Sequence, residues 1–209
     1  MNLIQVIEAL QTVSNMKQIH DSRFDHPTYI KYRYVPYDLH HYSASLTLSY
    51  AYDDWAIANV MSYVGLKDEA QEYYNRLKWY ENIFDTKTKF FCPKNSTGEL
   101  LCPETNPEHL IPFDYRYTED DAWQYRFFVP YDTPRLIEMF GGPESFAERL
   151  DKFFVESQNW PTTTIPNAYY WAGNEHDLFC VWQFHYGNRY RSDLTQRLSR
   201  WFLEDAYTI

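Results

Sequence analysis

The sequence predicts an all-α fold in which buried inner helices alternate with amphipathic outer helices, interrupted by one small β-hairpin. Three observations carry this. From Tyr42 to Leu66 the only charged residues are Asp53 and Asp54, while Leu46, Leu48, Trp55, Ile57, Val60, Met61 and Val64 are spread around every face, so this helix is expected to be buried nearly all round. After Gly65, Ala70, Tyr73, Leu77 and Tyr80 recur at spacings of three and four with charges between them, the pattern of an outer helix. Residues 84–104, "FDTKTKFFCPKNSTGELLCPE", place short apolar pieces around a Gly turn, which predicts a hairpin lying at the surface.

The remaining elements follow the same logic. A helical pattern begins at the first residues. Helix is expected again near Asp121, from Thr133 to Phe140, and after "GGP", where Pro143 suits a first helical position and Phe146, Leu150, Phe153 and Phe154 share one face. The stretch "NWPTTTIPNAYYWAGNEH" reads as a loop. Beyond it two helices are predicted, from about Glu175 to Tyr186 and from Ser192, as N-cap, through Leu194, Leu198 and Trp201. No fixed-period repeat or low-complexity tract appears, and 209 residues suit one domain. Both ends read as cut, because no helix-ending signal precedes Ile209.

Composition narrows the partners. Nineteen Lys and Arg against 29 Asp and Glu give a net charge of -10, which works against nucleic acid or an anionic membrane and favours a neutral or cationic ligand. No apolar run reaches the roughly 18 to 20 residues of a membrane span, and residues 1–20 lack the layout of a signal peptide, so the chain is expected to be soluble and to carry no address. Aromatic residues form 20% of the chain, with 20 Tyr and 7 Trp, and polar-tipped rings suit both a core and a half-wet sugar surface. Cys92 and Cys102 flank a turn-like segment and are read either as a short bridge in an oxidising compartment or as two reduced thiols. Within that segment Asn95-Ser96-Thr97 is a glycosylation sequon, meaningful only for a secreted chain.

Three constellations could carry chemistry. In "YTEDDAWQYRFFVPYD" three adjacent carboxylates precede Trp123, Tyr125, Phe127 and Phe128. Thr118 with Asp121 resembles a capping box, and Asp120 suits a helix dipole. Glu119 is left over. Like-charge neighbours and partial burial beside Trp123 are two reasons for it to hold a proton, as a general acid does; structural capping is the alternative reading. In "AYDDWAIA", Asp53 and Asp54 sit inside a buried helix, so they must be paired, hydrogen-bonded or facing a cavity. In "YYWAGNEHD", a Gly turn delivers Asn174, Glu175, His176 and Asp177 beneath an aromatic trio. With no second His four residues away, zinc is disfavoured, and sugar hydroxyls or an oxygen-liganded ion such as calcium fit better. There is no phosphate-cradling Gly loop and no nucleophile elbow.

Together, "YSASLTLSYAYDDWAIA", "YTEDDAWQYRFFVPYDTPRLIEMFGG" and "YYWAGNEHDLFCVWQFHYGNRYRSDLTQRLSRWFLEDAY" resemble, in order and spacing, glycoside hydrolase family 92, the calcium-dependent exo-acting α-mannosidases. The resemblance implies part of an (α/α)6 toroid of paired inner and outer helices. It also implies inverting hydrolysis of terminal α-linked mannose on glycans, with a calcium ion and a secretory route for the parent protein. Glu119 matches the family's general acid. Trp123 follows it in the same motif as a candidate sugar contact. Asn174, Glu175 and His176 match a site-lining Gly-Asn-Glu segment, and Asp53 and Asp54 match a signature helix that either touches sugar or holds the core. The ligand set of the metal is not assigned.

Two departures accompany the likeness. The family usually has Gly-Asn after the acid, where this chain has Asp120 and Asp121. Family members are also much longer, so residues 1–209 are expected to be a fragment of one catalytic domain, lacking an amino-terminal β-sandwich and the carboxy-terminal end of the toroid with the general base and calcium ligands. On that expectation the isolated chain should not turn over. A noncatalytic mannose-binding remnant or scaffold is the alternative.

Overall fold

The computed structural model describes residues 3–15, 23, 26–103, 110, 112–160, 167–186 and 191–206. They fall into two compact units, residues 1–84 with 92–101, and residues 85–91 with 102–209.

The first unit holds α1 (Leu3–Asn15), α2 (His26–Tyr32), α3 (Ser43–Tyr63) and α4 (Lys67–Arg76). Ile7 of α1, Ile57, Ala58 and Met61 of α3, and Ala70 and Tyr73 of α4 form one apolar cluster, so the predicted inner and outer helices pack as a pair. Leu77 and Tyr80 are buried as expected, but they lie beyond α4, Tyr80 in a 3₁₀ turn over Trp79–Ile83. The expectation that α3 is buried nearly all round needs correcting. Tyr52, Asp53, Ala56, Asn59 and Tyr63 form an exposed stripe, because α1 and α4 cover the side that carries Ile57, Ala58 and Met61.

The hairpin forms between β1 (Phe84–Asp85) and β2 (Phe90–Phe91), with a further bridge between Lys94 and Leu100. It is not a surface ornament. Phe84, Phe90, Phe91 and Cys92 are buried, since apolar rings on both strands leave water, while Thr86 and Lys87 at the turn and Thr97 to Leu101 beyond the strands are exposed. Cys92 and Cys102 are both disulfide-bonded, and Cys180 is a buried free thiol.

The second unit contains α5 (Thr133–Met139), α6 (Pro143–Asn159), α7 (Glu175–Leu178) and α8 (Ser192–Trp201). Gly142 precedes α6 at φ 110° and ψ 172°, a conformation open essentially to glycine alone, which explains "GGP" as a chain reversal. The predicted face of α6 is buried, and Phe127 meets Phe140, Phe146 and Phe153 at ring separations of 5.5, 5.6 and 5.3 Å. Two expectations differ. The helix from Glu175 to Tyr186 divides into α7 and a 3₁₀ segment over Cys180–Tyr186, where Thr195 Oγ1 donates to the Val181 carbonyl at 2.9 Å. Ser192 opens α8 rather than capping it, since Arg191 holds the N-cap position without a side-chain hydrogen bond.

Candidate active site

The acid-rich loop is held by its backbone and by buried carboxylates. Tyr117 is buried and its Oη donates to the Phe91 carbonyl at 2.6 Å, while Asp114 N–H donates to the Asp120 carbonyl at 3.0 Å. Asp121 accepts from the N–H groups of Trp123 (2.7 Å) and Gln124 (3.2 Å), and Gln124 Oε1 accepts from Asp121 N–H (3.0 Å). This reciprocal pairing, Asp121-x-x-Gln124, has the pattern of a capping box and leads into the 3₁₀ turn over Gln124–Phe127, whose N-cap position is Trp123. The expected box from Thr118 to Asp121 is therefore displaced by three residues: Asp121 opens the pairing rather than reaching back.

The second wall is the turn from Trp171 to Asp177. Gly173 is required there, because a Cβ would stand 2.5 Å from Trp171 Cε2. Asp177 is fully buried, and its Oδ2 accepts from Trp171 N–H at 2.7 Å, closing the turn. Asn174 Nδ2 donates to Asp120 Oδ2 at 2.6 Å, and His176 Nε2 meets the same oxygen. The His176 ring lies flat on Tyr125, at 4.0 Å between centroids and 19° between planes, with Phe128 edge-on. The structure thus joins the acid loop and the turn through one carboxylate.

Burial controls the charge of this cluster. It raises the proton affinity of Asp120, against the pull of His176 and Asn174 and with the help of Glu119. Asp121 is pushed well above the ordinary carboxylate range by burial, despite its two backbone donors. Asp177 is pushed up likewise by burial and then by the charge of Asp120. Among the described residues, Asp120 Oδ1 and Asp177 Oδ1 are buried without a hydrogen-bond partner, as is Trp123 Nε1. Orphaned oxygens of this kind are costly as bare carboxylates, which is why protonation is favoured.

The predicted site residues receive distinct places. Glu119 is exposed, where partial burial was expected, and its backbone is left-handed at φ 61°. Trp123 is 7% exposed and packs edge-on against Phe90 (4.8 Å) and Tyr169 (4.9 Å), with the Arg126 guanidinium 5.0 Å from its ring. Asn174 is buried, Glu175 exposed and His176 partly buried. Asp53 and Asp54 belong to the other unit. Asp54 is fully buried, its Oδ1 accepting from Arg23 at 2.7 Å and its Oδ2 from Tyr29 Oη at 3.4 Å, so it holds the core there. Asp53 is largely exposed, with Arg23 Nη2 at 3.6 Å.

Sequence reasoning gave Asp120 to a helix dipole and placed Asp177 in the turn, but made neither a site residue. The available signal was their setting: an acid beside the aromatic run from Trp123 to Phe128 risks burial, and a buried acid needs a polar partner such as the "NEHD" string supplies.

The profile described as the glycosyl hydrolase family 92 catalytic domain matches residues 2–209. A protein of Arthroderma benhamiae described as an uncharacterized secreted glycosidase is 25% identical over 166 residues, 70% of this chain and 20% of that protein. The family GH92 α-mannosidase BT3965 of Bacteroides thetaiotaomicron superposes with a TM-score of 0.72 at 31% identity, covering 89% of this chain and 23% of the other. In its complex with mannoimidazole it superposes with a TM-score of 0.77 at 26% identity, covering 98% and 27%. The inverting mannosidase BT2199 of the same organism gives a TM-score of 0.68 at 25% identity, covering 90% and 24%. The chain thus spans about a fifth to a quarter of the length of these relatives. The all-α expectation agrees with neighbours whose catalytic domain is an (α/α)6 toroid. On the match across residues 2–209, the chain belongs to glycosyl hydrolase family 92.

Proposed function

We propose that this chain contributes the acid side of an inverting α-mannosidase that removes terminal α-linked mannose from glycans, with Glu119 as general acid. The observation that carries the reading is the hydrogen bond from Asn174 Nδ2 to Asp120 Oδ2. It ties the residue next to Glu119 to the turn that the family resemblance assigns to sugar. A pyranose ring bound by Asn174, Glu175 and His176 would then have the Glu119 loop beside its glycosidic oxygen. In such a mechanism Glu119 gives its proton to the leaving oxygen as the bond to the anomeric carbon lengthens. A second carboxylate, roughly 6.5 to 9.5 Å away, takes a proton from the attacking water. That base is not assigned to any residue of this chain. The bound and reacting sugar in this reading is neutral, in keeping with a chain of net charge -10.

Calcium belongs to the proposed parent enzyme through the resemblance. Among the described residues no group of three or more His, Cys, Asp and Glu is placed to hold a metal ion. Chelation of the whole protein tests the requirement: activity on an α-mannoside should fall and return with added calcium.

The central test is Glu119→Gln in the whole protein as its cells produce it. Loss of general acid catalysis should lower kcat by about 10²- to 10⁴-fold while a mannose-like inhibitor still binds. Unchanged kcat would remove Glu119 from the mechanism. The exposure of Glu119 favours a second reading, a noncatalytic mannose-binding protein. Binding without any turnover by the unmutated protein would select it.

A further inference from the structure

The exposed tip that follows the hairpin is built around Asn95, and the candidate active site uses none of it. We propose that Asn95 is an N-glycosylation site, accepting an oligosaccharide from a lipid-diphosphate donor. Asn95-Ser96-Thr97 has the acceptor pattern, with no proline at its middle position.

The geometry leaves the acceptor atom available. Asn95 Oδ1 is turned into the loop, where it accepts from Thr97 N–H (3.1 Å), Thr97 Oγ1 (2.9 Å) and Glu99 N–H (2.8 Å). Among the described residues the amide nitrogen Nδ2 donates to Glu99 Oε2, at 2.8 Å, and Glu99 is exposed. An amide nitrogen carries two hydrogens, so one can be replaced while the other keeps this bond. The tip is anchored elsewhere: Tyr34 Oη donates to the Asn95 carbonyl (2.9 Å), and Asp38 accepts from Ser96 N–H (2.8 Å) and Ser96 Oγ (2.6 Å). Thr97 to Leu101 are exposed, and at Gly98, with φ 96°, a notional Cβ would meet, among the described residues, Lys94 Cε at 4.0 Å. A bulky substituent on Nδ2 therefore displaces no packed side chain of the tip.

A second observation concerns the compartment. Cys92 and Cys102, on either side of the sequon, are both disulfide-bonded, a state that persists where the surroundings are oxidising, and oligosaccharide transfer takes place in such a compartment. In the transfer, Nδ2 forms a bond to the anomeric carbon of the donor sugar and gives up one proton. The bond from that carbon to the diphosphate oxygen breaks, and the lipid diphosphate leaves with the electron pair. No oxidant or reductant is consumed. The proposal is independent of whether the protein hydrolyses mannosides.

The test is the mass of the peptide that contains residue 95, from the whole protein purified out of the cells that make it, before and after peptide-N-glycosidase. The expected result is a glycan mass that the enzyme removes, leaving Asp at position 95. Asn95→Gln should lose it. Because that change also removes the turn contacts of Oδ1, Thr97→Val, which keeps Asn95, should lose it too. Unmodified Asn95 in the native protein overturns the proposal, and so does a glycan that persists in Thr97→Val.

Discussion

Asp120 and Asn174 lie 54 residues apart in sequence and meet through a 2.6 Å hydrogen bond between two buried side chains. Asp120→Ala should leave the Asn174 amide without its acceptor inside the protein, costing about 1–3 kcal/mol of stability by urea unfolding. Asp120→Asn keeps an acceptor and should cost less. Equal midpoints for Asp120→Ala and the unmutated protein would show that the link contributes nothing.

The second unit should be more stable in mild acid than at neutral pH. Asp121 and Asp177 both have proton affinities raised by burial, so the folded state binds protons that the unfolded state has released. Stability from these groups is present below the ordinary carboxylate range and declines as pH rises above it. Asp177→Asn should remove part of that slope while retaining an oxygen for Trp171 N–H. A melting temperature that climbs steadily from pH 5 to pH 8 would contradict this assignment.

Two groups in the first unit should oppose one another across one pH window. Burial pushes the Asp54 carboxyl up to about 6, outweighing Arg23, so its contribution to stability falls as pH rises from about 4 to about 6. Burial, with Arg76 and Arg23, holds the His26 imidazole down to about 4, so its contribution grows as pH rises from about 4 toward 6.5. The net should be nearly flat. Amide exchange in α3 should show protection falling with pH over this window in His26→Asn and rising in Asp54→Asn; identical pH profiles in both variants would rule the pairing out.

Gly173→Ala should force the Trp171 ring aside, since the new methyl carbon would stand 2.5 Å from Cε2. A cost of about 1–3 kcal/mol is expected for such overpacking. Altered tryptophan fluorescence should accompany it, and the candidate turn should lose mannoside affinity. An unchanged melting curve would indicate that the ring yields freely.

Phe127 anchors the aromatic core of the second unit against Phe140, Phe146 and Phe153. Phe127→Ala should destabilise by about 3–5 kcal/mol, as large core truncations do, read from the denaturant midpoint. A loss below about 1 kcal/mol would mean that the rings collapse into the space.

Much of this protein was legible from local pattern. The spacing of Ala70 and Tyr73, and of Phe146, Leu150, Phe153 and Phe154, named buried helix faces because the helical repeat decides which side chains align, while Leu77 and Tyr80 are buried beyond the end of α4. A hairpin was announced by the short apolar pieces of residues 84–104, read around a Gly turn; its two strands close instead around residues 86–89, ahead of Gly98, and their burial was not foreseen. The three motifs also identified the family.

What the sequence by itself determined is therefore the helical class, the aligned faces and the family. Tertiary structure alone decided the fate of each acid. Of three adjacent carboxylates, Glu119 is exposed, Asp120 bonds to Asn174 and Asp121 accepts from Trp123 N–H, and residue type could not distinguish them. The reason is physical: a charged group's environment depends on desolvation and on partners brought from distant parts of the chain, whereas helical alignment depends only on residues three and four apart.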